Sequence, residues 1–204
     1  MHPQLPNRGL YAITDGPRVD LVGVVESVLR AGATMLQYRD KTADAARRHA
    51  EAAALRSLCA AYAVPLIVND DVALAVSVAA HGVHLGEDDG DVAAARSALG
   101  ASAIIGASCY DSIARARDLA AAGADYLAFG AFYPSPTKPN ARHATPSLLL
   151  EAKALRLPLV AIGGISRDNA RPLIEAGADF VAVISGVFGA KDPAAAARDY
   201  VGLF

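Results

Sequence analysis

The sequence predicts a (β/α)8 barrel from three observations. Eight short apolar runs alternate strictly with eight helix-like segments, which implies a parallel sheet covered on both faces. All of this fits in 204 residues, the short end of the range for such barrels. There is also a weak internal repeat: Ala31-Gly32-Ala33, Ala122-Gly123-Ala124 and Ala176-Gly177-Ala178 each end a helix just before a strand. The last two continue as Ala-Asp-Tyr-Leu-Ala and Ala-Asp-Phe-Val-Ala. An open doubly wound sheet is the competing architecture, but no glycine-rich dinucleotide fingerprint follows the first strand. One domain over residues 1–204 is expected.

In chain order, Gly9–Ile13 reads as a buried strand closed by Thr14-Asp15-Gly16-Pro17, and Leu21–Ala31 as a helix with Gly32 at its C-cap. Strand Thr34–Tyr38 leads into a long Ala-rich helix, Ala43–Tyr62. Strand Pro65–Asn69 is followed by helix Val72–Ala80, and strand Gly82–Leu85 by helix Asp91–Leu99. Strand Ala103–Ala107 is closed by Ser108 and followed by helix Ser112–Ala122; strand Tyr126–Phe129 is closed by Gly130. A longer connection, Ala131–Thr145, is rich in Pro, Ser, Thr and Lys, and long loops in compact domains tend to be functional. Helix Pro146–Ala154, strand Pro158–Ile162, helix Arg167–Ala176, strand Phe180–Ile184 and helix Pro193–Tyr200 complete the chain.

Composition narrows the function. Apolar residues make up 53% and charged residues 20%, as in a well-packed soluble globule. A net charge of -2 without a basic block argues against nucleic acid as the main partner. No apolar run spans a bilayer, and Met1-His2-Pro3-Gln4-Leu5-Pro6 has no signal core, so no membrane partner and a cytoplasmic location are expected. Cys59 and Cys109 form neither a metal spacing nor a disulfide framework and are expected as reduced thiols. The Ala-rich helices offer a face for a homo-oligomer.

In this barrel class the site lies at the C-terminal strand ends, so those ends are where chemistry should collect. Gln37, Arg39 and Lys41 would share one side if the second strand stayed extended through Lys41. One amide and two cations there suit a phosphate or diphosphate; the plainer reading is a solvated strand end with Arg39 paired to Asp40. Asn69-Asp70 and Glu87-Asp88-Asp89 close two adjacent strands and should converge. Hard oxygen ligands from two loops suit Mg2+, which takes a couple of carboxylates plus substrate phosphate oxygens. Asp71 and Asp91 are better read as helix N-caps, and Asp70 and Asp89 as metal ligands. Ser135, Thr137 and Lys138 sit on a proline-stiffened loop that could close over a ligand, or be merely solvated. Gly163-Gly164 and Ser185-Gly186 follow the last two strands, where backbone N–H groups form the recurring phosphate site of this fold. His84 reads as a packed core histidine, His81 as exposed at a helix end, and the tyrosines as core. Two anion sites in one mouth suggest a transferase joining a diphosphate-activated group to a phosphorylated acceptor.

At these residues the sequence resembles the thiamine phosphate synthase family, from Leu10 to about Val187. The matching stretches are Leu10–Asp15, Gln-x-Arg-x-Lys at 37–41, Ile67–Asp70, His84-Leu85-Gly86 followed by Asp89, Gly106-Ala107-Ser108, Pro134–Lys138, Ile162–Ile165 and Val183–Ser185. The resemblance implies a (β/α)8 enzyme that joins hydroxymethylpyrimidine diphosphate to hydroxyethylthiazole phosphate, giving thiamine phosphate and diphosphate. It implies a dissociative, Mg2+-assisted route in which diphosphate leaves before the thiazole nitrogen attacks. Carried over by position, Gln37, Arg39, Lys41, Asn69, Ser108 and Lys138 would bind the pyrimidine diphosphate, and Asp70 and Asp89 would hold Mg2+. Ser135, Thr137, Gly163, Gly164, Ile184 and Ser185 would contact the thiazole phosphate. Arg39, Lys41 and Lys138 would carry the leaving-group charge. Glu87 stands where the family usually has Gln, Ser135 where it often has Thr, and the adjacent Asp88 leaves the second ligand open by one residue. Three rivals share parts of this pattern: a related barrel that isomerises the thiazole phosphate, an aldolase-like barrel with a Schiff base on Lys41, and a non-catalytic phosphate-binding barrel.

Overall fold

The computed structural model describes residues 5–134 and 142–204. Eight strands pair in sequence order, all parallel, and close into a barrel: β1 (Gly9–Ile13), β2 (Met35–Tyr38), β3 (Leu66–Asn69), β4 (Gly82–Leu85), β5 (Ile104–Tyr110), β6 (Tyr126–Phe129), β7 (Leu159–Ile162) and β8 (Phe180–Val183). The register Leu10↔Val181 and Ala12↔Leu36 joins β1 to both neighbours, so the sheet has no free edge. An open doubly wound sheet is thereby excluded.

Strand alternation separates two cores. Tyr11, Ile13, Met35, Ile67, Ile104, Tyr126, Val160 and Phe180 fill the barrel interior. Their neighbours Leu10, Leu36, Val68, Ile105, Leu127, Leu159 and Val181 point outward into a larger core under the helices. Those helices are α1 (Leu21–Arg30), α2 (Ala45–Ala61), α3 (Val72–Ser77), α4 (Val92–Leu99), α5 (Ile113–Ala121), α6 (Pro146–Ala152), α7 (Arg171–Glu175), α8 (Ser185–Phe188) and α9 (Pro193–Val201). Asp71 and Asp91 cap α3 and α4 as expected, accepting from Leu74 N at 2.8 Å and Ala94 N at 2.7 Å.

The Ala-Gly-Ala-Asp repeat closes the bottom of the barrel. Gly123 and Gly177 take φ of 95° and 114°, which turns the chain from helix into strand. The aspartate that follows then satisfies an amide at the start of the preceding strand. Asp125 Oδ2 accepts from Ile105 N at 2.7 Å, and Asp179 Oδ2 from Leu159 N at 2.8 Å. His81 Nδ1 does the same for Leu66 N at 2.9 Å, so this histidine is half-buried and structural, where the sequence suggested exposure.

Several boundaries differ from expectation, α3 for example ending at Ser77 rather than Ala80. β5 continues past Ser108 to Tyr110, with a register shift between those residues. The segment before α7 is largely non-helical, so that helix begins at Arg171. The short helix α8 after β8 was not foreseen, because four residues are too few to show a periodicity.

Candidate active site

β2 ends at Tyr38, so Gln37, Arg39 and Lys41 do not form one extended row. Gln37 points into the barrel, 2% exposed, and its Nε2 donates to Tyr11 OH at 2.8 Å. Beyond the strand, Thr14 pins the backbone of Arg39: its hydroxyl accepts from Arg39 N at 2.8 Å and donates to Arg39 O at 3.0 Å. Asp40 turns back to Arg47, 2.7 Å from its Nη1, and accepts from Thr42 N. Arg39 is therefore not paired to Asp40, and its half-buried side chain has no ion-pair partner among the described residues. Lys41 is exposed, with Nζ 3.3 Å from Asp70 Oδ2.

The acidic ends of β3 and β4 converge as the sequence suggested. Asp70 sits in the left-handed region at φ 61°, a conformation tolerated mainly by Asn, Asp and Gly. Burial and then the neighbouring Asp89 carboxyl raise its pKa above the ordinary aspartate value, against the pull of Lys41. Asp89 Oδ2 accepts from Gly86 N at 3.0 Å, which turns the carboxyl back over the strand end, whereas Asp88 points outward and is exposed. Of the two candidates, Asp89 is thus the one beside Asp70. A pair of carboxylates that repel one another suits a hard dication with oxygen ligands. Among the described residues no group of three or more His, Cys, Asp or Glu is gathered for a metal. A metal on this pair would complete its shell with substrate oxygens and water. Glu87 is engaged elsewhere: its Oε2 lies 2.7 Å from Arg142 Nη2. The same guanidinium stacks 4.4 Å from the ring centre of Tyr110. Asn69 ends β3 opposite His84, on the interior-facing side it shares with Ile67.

Sequence reasoning missed the barrel floor. Tyr11 OH and Tyr126 OH are 2.8 Å apart, Tyr126 OH is 3.0 Å from His84 Nδ1, and His84 Nε2 is 2.9 Å from Ser108 Oγ. With Gln37 on Tyr11, these side chains make one buried polar chain across the interior. Burial pushes the His84 pKa down to about 4 and raises both phenols, so at neutral pH all three rings are uncharged. Gly106 makes room for it, since a Cβ there would overlap the Tyr126 ring. The signal was present as inward-facing Tyr11, His84 and Tyr126 on β1, β4 and β6, but single polar rings in apolar runs read equally well as core.

At the far side of the mouth the groups are backbone. Gly163 and Gly164 take φ of 100° and 65°. The turn packs so tightly on the β6 loop that a Cβ on Gly164 would overlap Tyr133 O. Asn169 holds it by donating to Gly164 O at 3.1 Å and accepting from Ser166 N at 2.7 Å. Ile184 caps α8 and its carbonyl accepts from Val187 N and Phe188 N at 3.1 and 2.9 Å, so only the first amides of the turn, those of Ser185 and Gly186, have no acceptor within the helix. Ser135, Thr137 and Lys138 lie outside the described residues.

Comparison with known proteins agrees with this geometry. Residues 10–187 match the sequence profile of a family described as thiamine monophosphate synthase. A thiamine-phosphate synthase of Xanthomonas campestris pv. campestris is 59% identical over 201 residues, covering 97% of each chain. One from an Azoarcus species is 58% identical over 200 residues, again 97% of each. Among solved structures, a thiamine phosphate pyrophosphorylase from Pyrococcus furiosus superposes with a TM-score of 0.87 at 35% identity, over 99% of this chain and 96% of that one. A 3-hexulose-6-phosphate synthase, 16% identical with a TM-score of 0.72, shares the fold alone. With a barrel of this topology, a mouth of this composition and a match over most of its length, the chain belongs to the thiamine monophosphate synthase family.

Proposed function

We propose that the mouth holds two anionic substrates side by side and joins them. The protein is a transferase that forms thiamine phosphate from hydroxymethylpyrimidine diphosphate and hydroxyethylthiazole phosphate. The observation that carries the reading is the convergence of Asp70 and Asp89 from adjacent strands, with Lys41 on Asp70 and Arg39 at the neighbouring strand end.

In this reading Gln37, Asn69 and Ser108 bind the pyrimidine, and Arg39, Lys41 and Lys138 bind its diphosphate. Asp70 and Asp89 hold Mg2+, which when bound neutralises charge on the departing diphosphate. Arg39 and Lys41 are in place before the reaction, so the charge that develops as the C–O bond breaks meets fixed cations and needs little reorganisation. Gly163, Gly164, Ile184 and Ser185, with Ser135 and Thr137, hold the thiazole phosphate through amides and hydroxyls. That fixes the thiazole nitrogen against the carbon that diphosphate leaves. An isomerase of the thiazole phosphate would need the amide site but not the charged wall, and a Schiff-base lysine would need desolvation that the exposed Lys41 lacks. A cytoplasmic location goes with this reading, supported by two buried free thiols, and so does a second copy packed on the Ala-rich α2; no described helix is long and apolar enough to cross a membrane.

The test is to incubate both substrates with Mg2+ and measure diphosphate release. Release is expected only when both substrates and metal are present. No release under any combination overturns the synthase reading, and undiminished release after chelation removes Mg2+ from Asp70 and Asp89.

A further inference from the structure

The floor of the barrel holds an unbranched chain of five polar side chains: Gln37, Tyr11, Tyr126, His84 and Ser108. Its middle is sealed. Tyr11 and Tyr126 are at most 1% exposed and His84 is 8% exposed. The Tyr126 ring stacks on His84 with an interplanar angle of 16° and meets Tyr11 edge-on at 88°. Side chains packed this way cannot turn to find other partners, so the protons must be shared along the chain.

That constraint gives the chain a direction. Gln37 Nε2 can only donate, so Tyr11 oxygen accepts there and its single proton goes to Tyr126. Tyr126 then has one proton left to give, and its neighbour is His84 Nδ1. A buried neutral imidazole with Nδ1 accepting carries its proton on Nε2, which donates to Ser108 Oγ. Ser108 must place its own proton elsewhere. The two ends thus differ in kind: Gln37 is left with its carbonyl oxygen as an acceptor, and Ser108 with its hydroxyl as a donor. Both belong to the pyrimidine subsite proposed above, on which this argument rests.

We propose that Tyr11, Tyr126 and His84 are positioning residues that fix this hydrogen-bond order and thereby select a ring bearing an exocyclic amine beside an unprotonated ring nitrogen. The amine donates to the Gln37 end and the ring nitrogen accepts at the Ser108 end. An oxo-pyrimidine offers the reverse order at both places. Admitting it means reversing the four hydrogen bonds of the chain or leaving buried polar groups unpaired, and sites built on paired polar groups discriminate by factors of about 10^2 or more on that basis.

Two measurements test this. The first is nitrogen NMR of protein labelled in its histidine rings, with His84 assigned by difference from His84→Asn. Wild type should show His84 protonated on Nε2. Tyr126→Phe should release the ring to a mixture of tautomers, while Tyr11→Phe leaves Nε2–H in place because Tyr126 still donates. The second compares kcat/KM for the amino- and oxo-pyrimidine diphosphates. Both phenylalanine variants should lose discrimination by about tenfold, through KM for the pyrimidine substrate and with KM for the thiazole phosphate unchanged. A wild-type His84 protonated on Nδ1 overturns the proposal, as does full discrimination in Tyr126→Phe. Diphosphate release by wild type in either case leaves the synthase reading standing, so the two failures are distinguishable. If Tyr126→Phe does not fold, the wild-type tautomer and Tyr11→Phe still decide the matter.

Discussion

The charged wall at the ends of β2, β3 and β4 and the glycine turns after β7 and β8 offer positive potential by different means. The wall uses side chains: Arg39, without an ion-pair partner among the described residues, and Lys41 on Asp70. The turns use peptide N–H groups held by backbone conformation, with Gly164 pressed against Tyr133 O. Side-chain charge can be deleted without disturbing the backbone, and backbone amides cannot be deleted without distorting the turn that presents them. The wall should therefore separate activity from stability under mutation, and the turns should not.

Arg39→Ala gives the largest effect and the clearest test of that difference. Turnover should fall on the order of 10^2–10^3-fold, while thermal unfolding stays within about 1 °C because the side chain is not part of either core. Diphosphate release and calorimetry on the same sample check it, and a matching loss of stability would break the comparison.

The floor between the two regions should show itself through pH. His84 is held neutral with a pKa of about 4, against 6.5 in the unfolded chain. A depressed folded pKa means that the unfolded state binds the proton first. Stability from this group is complete above pH 6.5 and drains away as pH falls toward 4, by about 3 kcal/mol in all. Denaturant melts from pH 7 to 4 should show a shallower acid slope for His84→Asn than for wild type; equal slopes would remove His84 as the source.

Gly164→Ala sharpens the other half of the comparison. At φ 65° with Tyr133 O in the way, an alanine should cost about 1–3 kcal/mol and raise KM for the thiazole phosphate while sparing the pyrimidine diphosphate. Wild-type melting together with wild-type KM would place the acceptor phosphate elsewhere. The smallest effect belongs to Glu87→Gln. It loses the exposed ion pair with Arg142, an interaction that contributes under about 1 kcal/mol. Turnover changes beyond twofold would show that Glu87 acts on the metal pair after all.

Much of this was legible in residue order. The strand and helix alternation, the strand-end position of Arg39, Asp70 and Asp89, and the capping roles of Asp71 and Asp91 follow from periodicity and from short-range side-chain chemistry. Those signals are local, so a linear chain carries them. Three features were not legible for the same reason. The pairing of Asp40 with Arg47 rather than Arg39 depends on where α2 lands. The choice between Asp88 and Asp89 depends on which carboxyl comes to lie beside Asp70 at the neighbouring strand end. The floor chain depends on five residues spread from position 11 to 126 that only barrel closure brings together.

The sequence by itself determined the barrel, the strand ends that carry chemistry, and the kind of groups found there, because apolar period and residue type are properties of neighbours along the chain. Tertiary structure alone decided which acid faces which, that Asp40 pairs with Arg47 rather than Arg39, and that Tyr11, Tyr126 and His84 share a hydrogen-bond chain. These depend on the register of eight strands closing on themselves, which places far-apart residues within 3 Å and seals them from water.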